Sequence, residues 1–588
     1  MKRTRCSASF GAHVIGPDRT RFRIWAPAQK AISLDIEGGP RLSMQRGGDD
    51  FFEADVDCGA GTRYFYILPD GRAIPDPASR AQDGDVHGRS IVVDAQSYRW
   101  RNGGWRGRPW HETSIYELHA GIFGGFAGVA RELRRLSELG VTAIELMPVA
   151  EFPGARNWGY DGALPYAPEC SYGTPDDLKG LIDAAHGHGL MVFLDVVYNH
   201  FGPDGNYLPV LAPAMFRDDV STPWGPAIDF RLRQVRRFFT ENALYWINEY
   251  RFDGLRFDAV HAITESDWLD EMAAEVRASV EPGRHVHLVL ENDKNEASHL
   301  VRGFDAQWND DGHHVLHVLL TGEREGYYAD YADDPAARLA RCLKEGFIYQ
   351  GEPSPHRGAK PRGTPSAALA PTRFVLFLQN HDQIGNRAFG ERLTVLADPH
   401  AVEAAIALQL LAPQIPLIFM GEETASEAPF LFFTDHNERL ADAVREGRRR
   451  EFSSFPSFSD SSLLAQLPDP NAIETLERCR NSVARPDFAA RRQRLYAQLL
   501  QIRRTEIVPR LDGARAIDAC ALGAAAVIGQ WRMGDGARLA LASNLGSVAV
   551  RLPPLSGRVL FASSPQAGKA ALAGELPAHC TVAVFEPS

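Results

Sequence analysis

Between residues 113 and about 500, short apolar runs recur at intervals too regular for a chain of unrelated loops. They are Ile115 to Leu118, Ala143 to Met147, Leu190 to Leu194, Leu255 to Phe257, Val286 to Leu290, Phe304 to Trp308, Phe374 to Leu378 and Pro416 to Met420. Runs this short that are apolar on both faces read as strands buried from both sides. Amphipathic helices lie between several of them. Leu178, Leu181, Ile182 and Ala185 follow i, i+3, i+4, i+7, and so do Val235, Phe238, Phe239 and Asn242, apart from the polar last member. The first helix opens on Thr174-Pro175-Asp176-Asp177, an N-cap, a proline at the first helical position and an acid at the third. Eight buried strands alternating with helices predict a (β/α)₈ barrel. A doubly wound sheet is the rival, but no GxGxxG follows a strand.

The flanks read differently. Residues 1–98 show short alternating runs such as Arg21-Phe-Arg-Ile-Trp25, ended by Pro27, with Pro69-Asp-Gly71 as a turn. They predict a small β-sandwich of immunoglobulin-like type. Residues 99–112, rich in Arg, Gly and Trp, read as a linker. The barrel is expected over 113–504, with an excursion at 309–372 that is too long for one βα loop. Within it Pro353 to Pro371 reads as a loop. The β pattern returns over 505–588, with Val527 to Trp531, Leu539 to Ser543 and Val548 to Leu552 as strands of a C-terminal β domain.

Composition narrows the function. The 588-residue chain has a formal net charge of −12, which argues against nucleic acid or an anionic membrane as partner. No run of eighteen apolar residues occurs, and the basic start (Lys2, Arg3, Arg5) lacks the apolar stretch of a signal peptide. Seven scattered cysteines, with no CxxC pair, fit free thiols in a reducing compartment. A cytoplasmic address is therefore expected.

In a (β/α)₈ barrel the chemistry sits at the C-terminal ends of the strands. Here those ends are polar. The third leads to Asp195, Asn199 and His200, the fourth carries Arg256 and Asp258, and the fifth gives Glu291. Asp310, Asp311, His313 and His314 follow the sixth, His381, Asp382 and Gln383 the seventh, and Glu422 and Glu423 the eighth. Any one of these acids could belong to a structural ion pair. Clustered as a set they repel one another, which costs stability unless something requires it. There is no HExxH helix and no His-rich strand end, so no metal and no cofactor is expected.

The segments Asp195-Val-Val-Tyr-Asn-His200, Gly254-Leu-Arg-Phe-Asp-Ala259, Val289-Leu-Glu-Asn292 and Phe377-Leu-Gln-Asn-His-Asp382 resemble, in order, the four signatures of the α-amylase superfamily, glycoside hydrolase family thirteen. The resemblance implies Asp258 as nucleophile, Glu291 as general acid and base, and Asp382 as transition-state stabiliser. It also implies that Arg256 holds Asp258 ionised, that His200 and His381 hydrogen-bond the sugar, and that Tyr160 stacks beneath it. Asp195 and the neighbours Phe257, Ala259, Val260 and His261 are counted with the substrate-binding residues on the same ground. So are Gln383, Ile384, Gly385 and Asn386. The sandwich resembles the domain that precedes the barrel in branching and debranching relatives; packing and glucan binding are both open to it.

A finer resemblance runs over nearly the whole chain. Asn157-Trp-Gly-Tyr-Asp-Gly162, Trp308-Asn-Asp-Asp311 with His313-His314, Glu325-Gly-Tyr-Tyr328 and Phe433-Thr-Asp-His436 look like the branch that cuts trehalose from maltooligosyl trehalose. It implies an enzyme acting after a maltooligosyl trehalose synthase, with Asp310, Asp311, Gly312, His313, His314, Glu325 and Tyr328 reading the trehalose end. The chain departs from that branch at Thr424 and Gly312, where relatives tend to carry aromatic residues. A glycogen-branching enzyme is the alternative, but His-Asp-Glu would be expected there where this chain has His381-Asp382-Gln383. A plain amylase, a pullulanase and a non-catalytic glucan-binding protein are further readings.

Overall fold

The computed structural model describes residues 9–222, 224–453, 461–480 and 484–588; the basic start and Cys6 lie outside them. Eight parallel strands close into a barrel in chain order. They are Ile115–Leu118, Ala143–Leu146, Met191–Val196, Gly254–Phe257, His287–Leu290, Ala306–Trp308, Phe374–Phe377 and Ile415–Phe419. Side chains alternate across each strand. Ile115, Ala143, Met191, Phe193, Val289, Ala306, Trp308, Val375, Phe377, Ile415 and Leu417 fill the interior. Above them the inward positions turn polar, with Glu117 in register with Glu145 and Asp195 with Arg256.

The helices form as the periodicity predicts. Pro175–Gly187 carries the full capping box: Thr174 accepts from the Asp177 N–H, and Asp177 accepts from that of Thr174. Such a cap is worth about 1 kcal/mol. On Arg233–Asn248 the polar Asn242 is buried with the apolar face because its amide is satisfied. It donates to Pro165 O (2.9 Å) and accepts from Tyr198 Oη (2.6 Å) and Trp246 Nε1 (3.1 Å).

At the N-terminus two antiparallel sheets face each other. Phe22 and Tyr64 meet edge to face across them at 4.8 Å, and the buried Asp76 accepts from Tyr64 Oη at 2.8 Å. This layer docks on the helix Arg233–Asn248, with Phe10 against Phe238 (5.1 Å). The tract read as a linker proves to be packed structure that closes the floor of the barrel. Trp105 Nε1 donates to the buried Asp253 (2.8 Å), which also pairs with His186 (2.9 Å). Trp110 Nε1 donates to Thr372 O (2.7 Å), and its ring stacks on Phe193 of the interior.

The excursion consists of a helix Asp310–Thr321, a 3₁₀ turn Gly326–Tyr331 and a helix Pro335–Glu345. The stretch read as a loop includes a two-stranded hairpin, Pro353–Ser354 with Lys360–Pro361. The C-terminal region is a five-stranded antiparallel sheet beginning at Arg515. Two expected strands are there; the third shrinks to Val550–Arg551, paired with Glu575–Leu576. Among the described residues no helix is long and apolar enough to cross a membrane.

Candidate active site

Arg256 is the centre of the mouth. Its side chain rises inside the barrel, buried, with the guanidinium lying 4.3 Å from the Trp308 ring. Nη1 donates to Asp195 Oδ2 (2.6 Å) and Asp258 Oδ1 (2.9 Å), while Nη2 donates to Glu291 Oε2 (2.8 Å). One cation thus ties together acids from the third, fourth and fifth strands. A bidentate, permanently charged fork is the group suited to that task.

The acids are biased in opposite directions. Burial pushes the Asp258 carboxyl up, but Arg256, His200 and the Asn199 amide outweigh it and hold the acid below the usual range. Asn199 Nδ2 donates to Asp258 Oδ2 at 2.8 Å. Glu291 lies well above its usual range, through burial and then the charges of Asp258, Asp310 and Asp382, against the pull of Arg256. The Ala259 N–H and Arg256 both donate to its Oε2, which leaves Oε1 for the mouth. Asp382 is raised by burial, with His381 and Arg256 opposing, and accepts from Asn386 Nδ2 at 2.6 Å. Two carboxyls pushed apart in this way can stand side by side with one ionised and the other protonated.

The aromatic wall stands opposite. Tyr160 stacks on His381 (5.1 Å between rings) and donates to Asp195 Oδ2 at 2.5 Å. His200 faces Asn199 Oδ1 (2.5 Å) and Tyr160 O (2.9 Å), and its ring lies parallel to the exposed Trp224 at 4.6 Å.

Known proteins resemble the chain over most of its length. The family described as "Alpha amylase, catalytic domain" matches residues 82–209, and a domain of unknown function (DUF3459) matches 514–584. The chain is 43% identical over 500 residues to a malto-oligosyltrehalose trehalohydrolase of Deinococcus radiodurans, covering 83% of this chain and 82% of that one. A relative of the same description from Saccharolobus solfataricus is 41% identical, covering 78% and 84%. The chain belongs to the malto-oligosyltrehalose trehalohydrolase family. A crystal structure of a putative α-amylase from Salmonella typhimurium superposes with a TM-score of 0.92 at 44% identity, over 98% of this chain and 99% of that one. The protein is accordingly a glycoside hydrolase with an α-amylase-type barrel.

Within this trehalohydrolase frame the expected residues divide into three groups. Asp195, Arg256, Asp258, Glu291, His381, Asp382, Tyr160, His200, Asn386 and the Ala259 amide form the network just described. Asp310 lies near Glu291 and Asp382, its carboxyl pushed up to about 7 by burial and Asp293, with Arg362 opposing. His261 accepts from the Asp293 N–H at 3.4 Å. His314 Nδ1 and Gln383 Oε1 are buried with no protein hydrogen-bond partner among the described residues. Glu325 is on the exposed segment that opens the 3₁₀ turn.

Other members of the expected set are framework. Asp311 is fully buried and faces away from the mouth; its oxygens accept from Tyr331 Oη (2.5 Å), Arg362 (2.9 Å), Asn295 (2.9 Å) and the amides of Ile348 and Tyr349. It pins the excursion to the barrel. Phe257 points outward, as alternation next to Arg256 requires, onto Tyr198 (5.8 Å) and Phe304 (5.7 Å). Val260 and Ile384 are buried in the apolar core. His313 is bonded on both nitrogens, to Leu378 O (2.7 Å) and Tyr328 Oη (3.2 Å). Burial holds it neutral, with a pKa down to about 3. A Cβ on Gly312 would sit 2.6 Å from Leu376 Cδ1, so that glycine sets how closely a helix packs, and the departure there is not at the mouth. Gly385 likewise makes room for the Trp158 indole, 2.0 Å from where a Cβ would lie. Thr424 turns its hydroxyl to Gly421 O (3.1 Å).

Three residues escaped the sequence reading. Of the pair in Glu325-Gly-Tyr-Tyr328, Tyr327 is the exposed one and feels Asp382 and Asp310, whereas Tyr328 is buried against His317 at 4.3 Å. Trp224 carried no motif, although a tryptophan beside a proline on a polar hairpin is a signal in itself. Glu117 was hidden inside an apolar run, where a lone acid should have drawn attention.

Proposed function

We propose that the protein hydrolyses the α-1,4 bond next to the terminal trehalose of a maltooligosyl trehalose, releasing trehalose and a maltooligosaccharide, with retention of configuration. The observation that carries this reading is the sharing of one guanidinium by Asp258 and Glu291, with their proton affinities driven apart. Asp258, ionised, attacks the anomeric carbon while Glu291, protonated, gives its proton to the departing trehalose oxygen. The resulting glycosyl ester is opened by water, whose proton passes to the now ionised Glu291. A shared guanidinium keeps the two carboxyl groups close neighbours, in keeping with the roughly 5–5.5 Å of retaining enzymes. Asp382, fixed by Asn386, faces the developing positive charge.

Tyr327, His314, Gln383 and Asp310 are the groups we assign to the trehalose side. Buried polar atoms left without a partner reject a sugar that cannot bond them, which is how such a site discriminates. The relatives' shared description supports this substrate over a branch transfer. The substrate would be supplied by an enzyme that isomerises the reducing end of a maltooligosaccharide to a trehalosyl end. A reducing, cytoplasmic setting fits Cys58, Cys170, Cys342, Cys479, Cys520 and Cys580, all free thiols. Product analysis on maltooligosyl trehalose is the test. Free trehalose is expected; branched glucan or random malto-fragments would refute the reading.

A further inference from the structure

Beneath the aromatic wall, the first barrel strand sends the buried Glu117 up against His381. One carboxylate oxygen forms a short contact with His381 Nδ1, and the other lies 3.3 Å from the His381 backbone N–H. The second ring nitrogen, Nε2, is 2.8 Å from Tyr160 Oη. Tyr160 has a single proton, and it is directed to Asp195 Oδ2 at 2.5 Å. That oxygen also accepts from Arg256, so it is not the proton carrier. Tyr160 Oη must therefore accept from Nε2, just as Glu117 accepts from Nδ1. Both nitrogens of His381 are donors, and only an imidazolium has two.

We propose that Glu117 is a positioning residue that holds His381 as an imidazolium, and that this cation, with Arg256, keeps Asp258 ionised for attack. Glu117 touches neither substrate nor reacting atom; it acts through His381. The groups facing His381 come from several elements. Glu117 is on the first strand, and His119 lies just past it. Tyr160 stands on the second loop, Asp195 on the third strand and Arg256 and Asp258 on the fourth; Asp382 is the chain neighbour. Burial pulls the imidazole down and Arg256 does so too, but Glu117, helped by Asp382, outweighs them and raises it. His381 in turn lowers both Asp258 and Asp382.

A second buried acid, Glu145, neighbours Glu117. It lies beside Glu117 in register, buried, with neither carboxyl oxygen hydrogen-bonded among the described residues. Burial and the neighbouring Glu117 and Asp195 raise it far above its usual range, so it stays neutral. Glu145 thus offers Glu117 no cation, and both Glu117 oxygens turn to His381, one to its ring and one to its backbone N–H.

The inference rests on the retaining mechanism proposed above but not on the choice of trehalose. Its test uses α-maltosyl fluoride, whose leaving group needs no protonation by Glu291, so that the alkaline limb of kcat/KM reports on His381. A group raised in the enzyme loses its proton as pH climbs through that raised value. Glu117→Gln keeps the hydrogen bond but removes the charge, and should move the limb down by about one pH unit or more. The loss relative to wild type should then grow from pH 5.5 to pH 8 and above, approaching about tenfold for each pH unit by which the limb moves. Loss by one factor at every pH would overturn the proposal and make Glu117 a structural residue. The ¹⁵N-histidine spectrum of the wild-type enzyme, with His381 assigned by its loss in His381→Gln, gives an independent readout should Glu117→Gln not fold or the fluoride not turn over. A doubly protonated ring at pH 8 is expected, and a neutral tautomer at pH 7 overturns the proposal. Failure of the fluoride with wild-type enzyme would count against the retaining reading alone.

Discussion

The Ala259 amide donates to Glu291 at 2.8 Å from a backbone in the left-handed region, with φ 41° and ψ 45°. A non-glycine residue is rarely held there, and the conformation costs of the order of 1–3 kcal/mol. It is what turns the amide onto the acid immediately after Asp258. Ala259→Gly should keep kcat within about threefold, because glycine adopts this backbone freely. Ala259→Val should lower kcat at least about tenfold, since a β-branched side chain resists it. Steady-state kinetics on the pair checks this; equal activity of both would detach the strained turn from catalysis.

Asp258→Asn should remove at least about three orders of magnitude of turnover, or roughly 4 kcal/mol of transition-state stabilisation. Circular dichroism would establish that the variant folds. Near wild-type turnover by the folded protein would refute Asp258 as nucleophile.

Glu291 should set the alkaline side of the pH profile on glycosidic substrates. Because Asp258 is lowered, activity should fall on the acid side only below the usual carboxylate range. Because Glu291 is raised, the protonated form persists through neutral pH and is lost as pH climbs through its raised value. Glu291→Gln should abolish that alkaline dependence on glycosides and spare glucosyl fluorides by comparison. Equal loss on both substrates would mean that another group protonates the leaving oxygen.

The two tyrosines of the excursion should separate cleanly. Tyr327→Ala should raise KM for maltooligosyl trehalose several-fold while slow cleavage of plain maltooligosaccharides changes less. Tyr328→Ala should act through folding, lowering stability by about 3–5 kcal/mol as a buried aromatic does. Urea unfolding beside the two-substrate kinetics tells them apart, and matching profiles would contradict the assignment.

Asp311 offers a prediction about stability. Breaking its buried pair with Arg362 while leaving the Tyr331, Ile348 and Tyr349 donors unmet should cost about 3–5 kcal/mol. Asp311→Ala measured by denaturant unfolding decides the matter: loss of activity with stability intact would return Asp311 to the binding site.

The barrel and its acids were legible because the physics is local. A strand covered on both faces is apolar along most of its length, so Leu190 to Leu194 or Phe374 to Leu378 announces itself, and a carboxylate at its end stands out. Direction is harder to read. Phe257 and Arg256 are adjacent in sequence but face opposite layers, and Asp310 and Asp311 part in the same way at the first turn of a helix. Tyr327 and Tyr328 differ only in the side of a 3₁₀ turn they occupy. The role of Asp311 depends on Arg362, Ile348 and Tyr349, which lie 51, 37 and 38 residues away, and no local pattern points to them.

The tryptophans below the barrel set where this chain can be cut. Trp105 and Trp110 enter the strand set from residues that precede its first member, and they cover Asp253 and Phe193 from underneath. A fragment starting at Ile115 would expose that acid and that ring to water and leave the barrel unsealed. Exchange of the N-terminal sandwich with that of a relative should therefore be made before Tyr98, so that the aromatic tract travels with the barrel whose floor it forms.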